Sequence, residues 1–212
     1  MYKQIFNNDN TQKINIEGYE YALLWRDDLG IGYLPTDGYD YGIEYWEKYL
    51  VMSAADFGHK LNQLRLDFVK RNNGNFNNLC DVGIGSGQFV ETAKCKGTDV
   101  NPLAIAWLKE HNYFADDLTT FKELTLWDVI EHIEDPSITF SNATQVFIST
   151  PIYQDLTDCL KSKHFRPGEH IWYFTDAGIK NFMALLGYTV RDESDFETVL
   201  GRESILSYHF SV

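Results

Sequence analysis

The stretch LCDVGIGSGQFVE, residues 79–91, sets Gly83, Gly85 and Gly87 at alternate positions behind a short apolar run. Glycines there let a backbone approach a ligand closely, and Asp81 stands two positions ahead of the first. A dinucleotide loop reads G-x-G-x-x-G and seats a pyrophosphate on the next helix N-terminus. Its third glycine would fall at position 88, which is Gln88. A carboxylate at Asp81 would repel a pyrophosphate, whereas it suits a cation such as an α-amine. Asp99 follows at the tip of a second apolar run, where it can accept hydrogen bonds from both hydroxyls of a ribose. Asp116 or Asp117 could accept from the exocyclic amine of adenine, and the sequence does not choose between them. Glu131 and His132 close a later run. Beyond it, SKHFRPGEHIWYFT gathers His164, Glu169 and His170 among aromatic residues. An imidazole titrates near neutrality, so His164 and His170 are the better candidate general bases, with Glu169 beside them, while His132 either contacts the substrate or is a buried, hydrogen-bonded imidazole.

The elements that must position these groups can be read from apolar periodicity. LCDVGI, CKGTDV, YFADDL, LTLWDVIEHI and QVFIST have the length and composition of strands, and helical patterns fall between several of them. Pro102 opens one helix, and Thr175 caps another that Gly187 ends. Such alternation predicts a parallel sheet with helices on both faces and a ligand crevice at the strands' carboxyl ends. The last two strands have no helical pattern between them and should pair as an antiparallel hairpin around Gly201. The expected architecture is therefore an α/β, Rossmann-like, doubly wound sheet of about seven strands, mostly parallel. Residues 1–75 would form a strand and helical cap, with helices over 42–71 broken near Ser53 to Gly58. Residues 76–212 would form the core of a single structural domain.

Composition narrows the partners. The 212 residues carry a net charge of −13 and no basic run, which disfavours a nucleic-acid backbone as ligand. No window has the uncharged apolar length of a membrane span, and the first residues lack the apolar stretch of a secretory signal. Cys80, Cys95 and Cys159 stand far apart, so neither a disulfide framework nor a structural zinc site is expected, and the cytoplasm is the natural setting.

LCDVGIGSGQF, GTDVNP and LWDVIEHIEDP, in this order and spacing, resemble class I S-adenosylmethionine-dependent methyltransferases. The likeness extends from about residue 78 to the C-terminus and is nearest to the branch with an E-H-h-x-D-P motif, which includes ubiquinone-biosynthesis and small-molecule O-methyltransferases. The resemblance implies S-adenosylmethionine as cofactor and no need of a metal. It implies that Asp81 and the loop Gly83–Gly87 hold the methionine moiety. Asp99 would hold the ribose with Val100 and Asn101 beside it, and Asp116 and Leu118 would flank the adenine. Trp127, Asp128 and Val129 would line the sulfonium side. The activity implied is in-line methyl transfer to a small-molecule or sugar-like acceptor, with O-methylation expected. Two alternatives stand beside it: a cofactor-binding interaction module without catalysis, and a nicotinamide oxidoreductase on the same scaffold. TPIY, at 150–153, is similar to the (D/N)-P-P-Y box of DNA amino-methyltransferases. It lies after the wrong strand, however, and lacks the second proline.

Overall fold

The computed structural model describes residues 5–7, 9–140 and 142–212. In chain order the regular elements begin with β1 (Gln12–Asn15), β2 (Ala22–Arg26), β3 (Ile31–Tyr33), α1 (Ile43–Ala54) and α2 (Asp56–Arg71). The central units follow as β4 (Leu79–Val82), α3 (Gln88–Ala93), β5 (Lys96–Thr98), α4 (Pro102–Glu110), β6 (Glu123–Trp127) and the short α5 (Pro136–Thr139). The last third holds β7 (Gln145–Tyr153), α6 (Leu156–Lys161), β8 (Trp172–Thr175), α7 (Asp176–Leu185), β9 (Thr189–Ser194), the short α8 (Phe196–Val199) and β10 (Ile205–Ser211).

β5, β4, β6 and β7 run parallel in that spatial order, and the chain leaves β4 to one side for β5 and returns to the other for β6. That reversal opens the crevice expected at the carboxyl end of β4. β4 and β6 are buried along their whole length, as strands covered on both faces must be. β10 lies antiparallel to β7 and to β9, which forms the expected terminal hairpin, although α8 interrupts the connection. YFADDL does not make a full strand: Phe114 forms a single parallel bridge with Gly97, after which two exposed carboxylates turn the chain outward.

Among the described residues the sheet has ten strands, where about seven are expected from the sequence. Opposite β6, the other edge of β7 is long enough to serve two partners, β10 along most of its length and β8 at its end through Ile152 and Tyr153. β3 then pairs with β8, and β2 and β1 follow, so the N-terminal strands extend the sheet itself. The helical part of the N-terminal segment is where expected, with α1 and α2 meeting at Ala55. Gly58 makes that junction possible, since a Cβ there would lie 2.5 Å from the Met52 carbonyl oxygen.

One apolar layer places Leu66, Phe68 and Val69 of α2 with Val90, Ala104 and Leu108 against the parallel strands. The other sets Ile179, Phe182 and Met183 of α7 against Trp172, Phe174, Tyr208 and Phe210. Thr175 caps α7 by accepting from the Gly178 N–H at 3.0 Å. Gly178 also packs against the β2–β3 turn, where a Cβ would come within 1.9 Å of the Gly30 oxygen.

Candidate active site

A cavity of about 330 Å³ opens at the carboxyl end of β4, walled by the glycine loop, the β6 terminus, α1 and α2. Asp81, Gly83, Gly85, Asp99, Val100, Trp127, Asp128, Val129 and His132 all line it. The loop turns tightly because Gly83, Gly85 and Gly87 adopt φ of +74°, +55° and +80°, where a side chain is strained. Closeness matters as well: a Cβ on Gly83 would stand 2.5 Å from Val129 Cγ2, and one on Gly87 2.6 Å from the Trp107 ring. Gln88, where a dinucleotide loop would have glycine, donates from Nε2 to the Ser53 carbonyl oxygen at 2.9 Å and ties α3 to α1.

Asp81 is buried and accepts from Thr125 Oγ1 at 2.6 Å. Burial pushes its carboxyl up to about 7, only partly opposed by Thr125 and by the Arg65 charge. A ligand ammonium would restore the ionised form. Asp99 accepts from the Asn101 N–H at 2.8 Å. Burial raises its carboxyl above the ordinary range, opposed by backbone N–H groups of Asn101, Ile84, Val100 and Gly85. The loop and the second strand end are thus joined through one carboxylate. Asn101 is buried outside the cavity lining, where it caps α4 by accepting from the Leu103 N–H at 2.9 Å.

The β6 terminus is unusual. Asp128 has φ +59°, a conformation that costs a non-glycine residue ~1–3 kcal/mol. Two arginines hold it there: Arg65 Nη2 lies 3.0 Å and Arg202 Nη1 2.7 Å from Asp128 Oδ2. Burial alone would raise the Asp128 carboxyl, but Arg202 and Arg65 outweigh it and hold it low. Glu197 of α8, fully buried, completes the cluster by accepting from both guanidinium groups. The Arg65 guanidinium also sits 5.0 Å over the Trp127 ring.

A second cavity, of about 600 Å³, adjoins the first through Tyr41, Val100 and His132. Tyr33, Tyr39, Asp37, Asp40, Glu134 and Glu169 line it. His132 stands between the two, with Nδ1 2.9 Å from the Glu169 carbonyl oxygen and 3.2 Å from the Tyr41 hydroxyl. Burial lowers the His132 imidazole below its ordinary value. Glu169 is held by Arg166 at 3.2 Å. His170 lies behind His132, with ring centroids 4.7 Å apart, and burial pushes it down to about 3. Glu131 is buried beside them and pushed up to about 8, first by burial and then by the Asp128 charge. His164 belongs to neither cavity: its Nε2 bonds the Glu203 carbonyl oxygen at 2.9 Å.

Asp116, Asp117 and Leu118 are not among the cavity residues. Asp117 is exposed and accepts from the Thr119 N–H at 2.9 Å, as a cap of the turn that follows. Leu118 packs on the main core. Conversely, Tyr41, Tyr45, Tyr49, Arg65 and Arg202 line the first cavity without having been read as site residues. The tyrosines recur every four positions in the sequence; Tyr45 and Tyr49 share one face of α1, and Tyr41 precedes the helix. The Tyr45 and Tyr49 rings lie tilted to each other with centroids 4.7 Å apart and share a hydroxyl contact of 3.2 Å.

A family model described as a methyltransferase domain matches residues 54–193, about two thirds of the chain. The chain belongs to that methyltransferase family. The buried Asp81, the glycine cradle and Asp99 form a set of groups that could hold an amine, an aminoacyl tail and a ribose. The fold of this methyltransferase is similar to magnesium protoporphyrin IX methyltransferase from Synechocystis PCC 6803, solved with bound S-adenosylhomocysteine. That match has TM-score 0.56 at 15% identity and covers 81% of this chain and 95% of the other. It is also similar to the N-methyltransferase NodS from Bradyrhizobium japonicum WM9, with TM-score 0.53 at 14% identity, covering 79% and 96%. A third likeness is to a possible histamine N-methyltransferase from Thermotoga maritima, with TM-score 0.56 at 11% identity, covering 80% and 95%. No curated protein matches the methyltransferase in sequence. Among its described residues no helix is long and apolar enough to cross a membrane.

Proposed function

We propose that the methyltransferase transfers the sulfonium methyl group in line to an oxygen of a small, sugar-like acceptor, within the E-H-h-x-D-P branch. The observation that carries this reading is the meeting of the two cavities at Tyr41, Val100 and His132. The cofactor occupies the first and the acceptor the second, which puts donor and nucleophile on either side of one imidazole. Alignment of acceptor, methyl and sulfur supplies most of the acceleration, because the donor is already activated.

Asp81 takes the α-ammonium, Arg65 the neighbouring carboxylate, and Asp99 the ribose hydroxyls. Trp127, Asp128 and Val129 border the sulfonium. For the adenine amine Asp116 is the better candidate, because the Asp117 carboxylate is already engaged by Thr119. His132 is the histidine that borders both cavities, and it accepts the acceptor's proton. Glu169 and the tyrosines orient acceptor hydroxyls, while His170 braces His132 from behind.

A second reading, an amine acceptor, is favoured by Asp37, Asp40, Glu134 and Glu169 around the second cavity. Thermal-shift measurements with S-adenosylhomocysteine and with NAD test the cofactor half. A shift with the first alone is expected, and a shift with NAD alone would overturn it. A screen of sugars, polyols, amines and small acids, read by homocysteine release, tests the acceptor half. Turnover of amines without turnover of hydroxyl compounds would replace the first reading by the second.

A further inference from the structure

Behind the wall shared by the two cavities, a carboxylate oxygen of Glu131 and one ring nitrogen each of His132 and His170 lie within 4.8 Å of one another. Glu131 is 1% exposed and His170 4%. Glu131 Oε2 accepts from Thr150 Oγ1 at 3.0 Å, but Glu131 Oε1 has no partner among the described residues. His170 Nδ1 has none either. A buried polar atom without a partner is costly, so two of them side by side call for an occupant.

The third side chain is prepared for the same occupant. The Glu169 carbonyl oxygen beside His132 Nδ1 can only accept, so Nδ1 carries the proton and Nε2 presents a bare lone pair. A backbone carbonyl fixing one ring nitrogen while the other is free is the support that metal-binding histidines have. Two imidazoles and one carboxylate suit a divalent transition metal rather than calcium or magnesium, which prefer all-oxygen sites.

We propose that Glu131, His132 and His170 bind a divalent transition-metal ion of the zinc class, through Glu131 Oε1, His132 Nε2 and His170 Nδ1. Bonds of about 2.0–2.2 Å to one ion set the ligand atoms roughly 3.3 Å apart, so side-chain movements of no more than about 1 Å complete the site. Three protein ligands leave a position open, and His132 is the one ligand that borders the cavities. The ion also joins two segments that the backbone already knits together. Ile171 N–H donates to the Glu131 carbonyl oxygen at 2.8 Å, and Trp172 Nε1 to that of Ile133 at 2.8 Å. Ion binding itself does not depend on the reading of the cavities. Its effect on the acceptor does: an ion on His132 Nε2 excludes that nitrogen from accepting a proton and acidifies a nearby hydroxyl in its place.

The test is a titration of the full chain, stripped of metal by a chelator, with cobalt chloride. One Co²⁺ per chain is expected, with visible ligand-field absorption that Zn²⁺ displaces. Glu131→Gln, which can keep the Thr150 bond, and His170→Gln should each weaken uptake by about tenfold or more. His111→Gln, at an exposed position, should leave uptake intact. Absence of the absorption in the unaltered chain, or uptake that both Glu131→Gln and His170→Gln leave unchanged, would overturn the proposal. S-adenosylhomocysteine affinity measured on the same samples separates the two readings. Lost Co²⁺ with retained cofactor binding supports the site and excludes misfolding. Retained Co²⁺ without cofactor binding counts against the cofactor assignments alone.

Discussion

Replacing Asp81 by Asn should stabilise the ligand-free protein at alkaline pH and weaken its hold on the cofactor. The Asp81 carboxyl is 1% exposed, accepts from Thr125, and is pushed by burial up to about 7 from an ordinary 3.8. Between those values the folded chain binds more protons than the unfolded one, so stability falls as pH rises. The full contribution is present below the unfolded value and is lost by the time pH passes the folded one. At ~1.4 kcal/mol per unit, a gap of roughly three units amounts to about 4 kcal/mol. Asn preserves the size and removes the charge, so D81N should melt about 8–16 °C higher than the unaltered chain at pH 8 and alike at pH 4.

Cofactor binding should show the opposite preference, since an ammonium selects the ionised carboxylate. S-adenosylhomocysteine affinity of the unaltered chain should rise about tenfold from pH 6 to pH 8, with proton uptake by buffer near pH 7. In D81N the affinity should be lower and its pH slope shallower. Glu131, pushed up to about 8, titrates in the same range, so the difference between the two proteins is the quantity to read. Thermal melts at pH 4 and pH 8, with calorimetric titrations in two buffers of different ionisation enthalpy, measure both effects. Equal melting at pH 8, or pH slopes that coincide in the two proteins, would refute the reasoning.

Asp99→Ala should weaken S-adenosylhomocysteine binding by about 1–3 kcal/mol, and an unchanged calorimetric affinity would remove the ribose assignment. Glu197→Ala leaves Arg65 and Arg202 short of a buried partner and should cost about 3–5 kcal/mol by urea denaturation. A cost below ~1 kcal/mol would mean that solvent reaches the cluster. Gly178→Ala should cost about 2–3 kcal/mol in the same assay, because its Cβ would meet the Gly30 oxygen at 1.9 Å and backbone must move.

Local signals are legible in the sequence where one element's chemistry decides them. Pro102 opens α4, Thr175 caps α7, and the β4 loop turns on its glycines, each determined within a few residues. Non-local pairings were not legible. Nothing in the IGY of β3 announces a partner as distant as β8, and the double use of β7 depends on where the chain returns. The cavity wall was hidden for another reason: residues facing a void follow the same helical period as residues facing a core. Arg65 sits among Leu61, Leu64 and Phe68 as an ordinary surface cation would. His170 is separated in sequence from His132 and meets it only because Ile171 pairs with the backbone of Glu131.

The pairing of β3 with β8 also determines where the chain can be divided. β8 carries Trp172, Tyr173 and Phe174, all buried, with β7 on one side and β3 on the other. A fragment beginning at residue 76 would keep every cofactor-side strand yet leave the outer edge of β8 bare. An apolar edge with free N–H and C=O groups is a template for any passing chain. The first three strands therefore act as a built-in edge guard, and removing them turns a covered sheet into a seed for self-association.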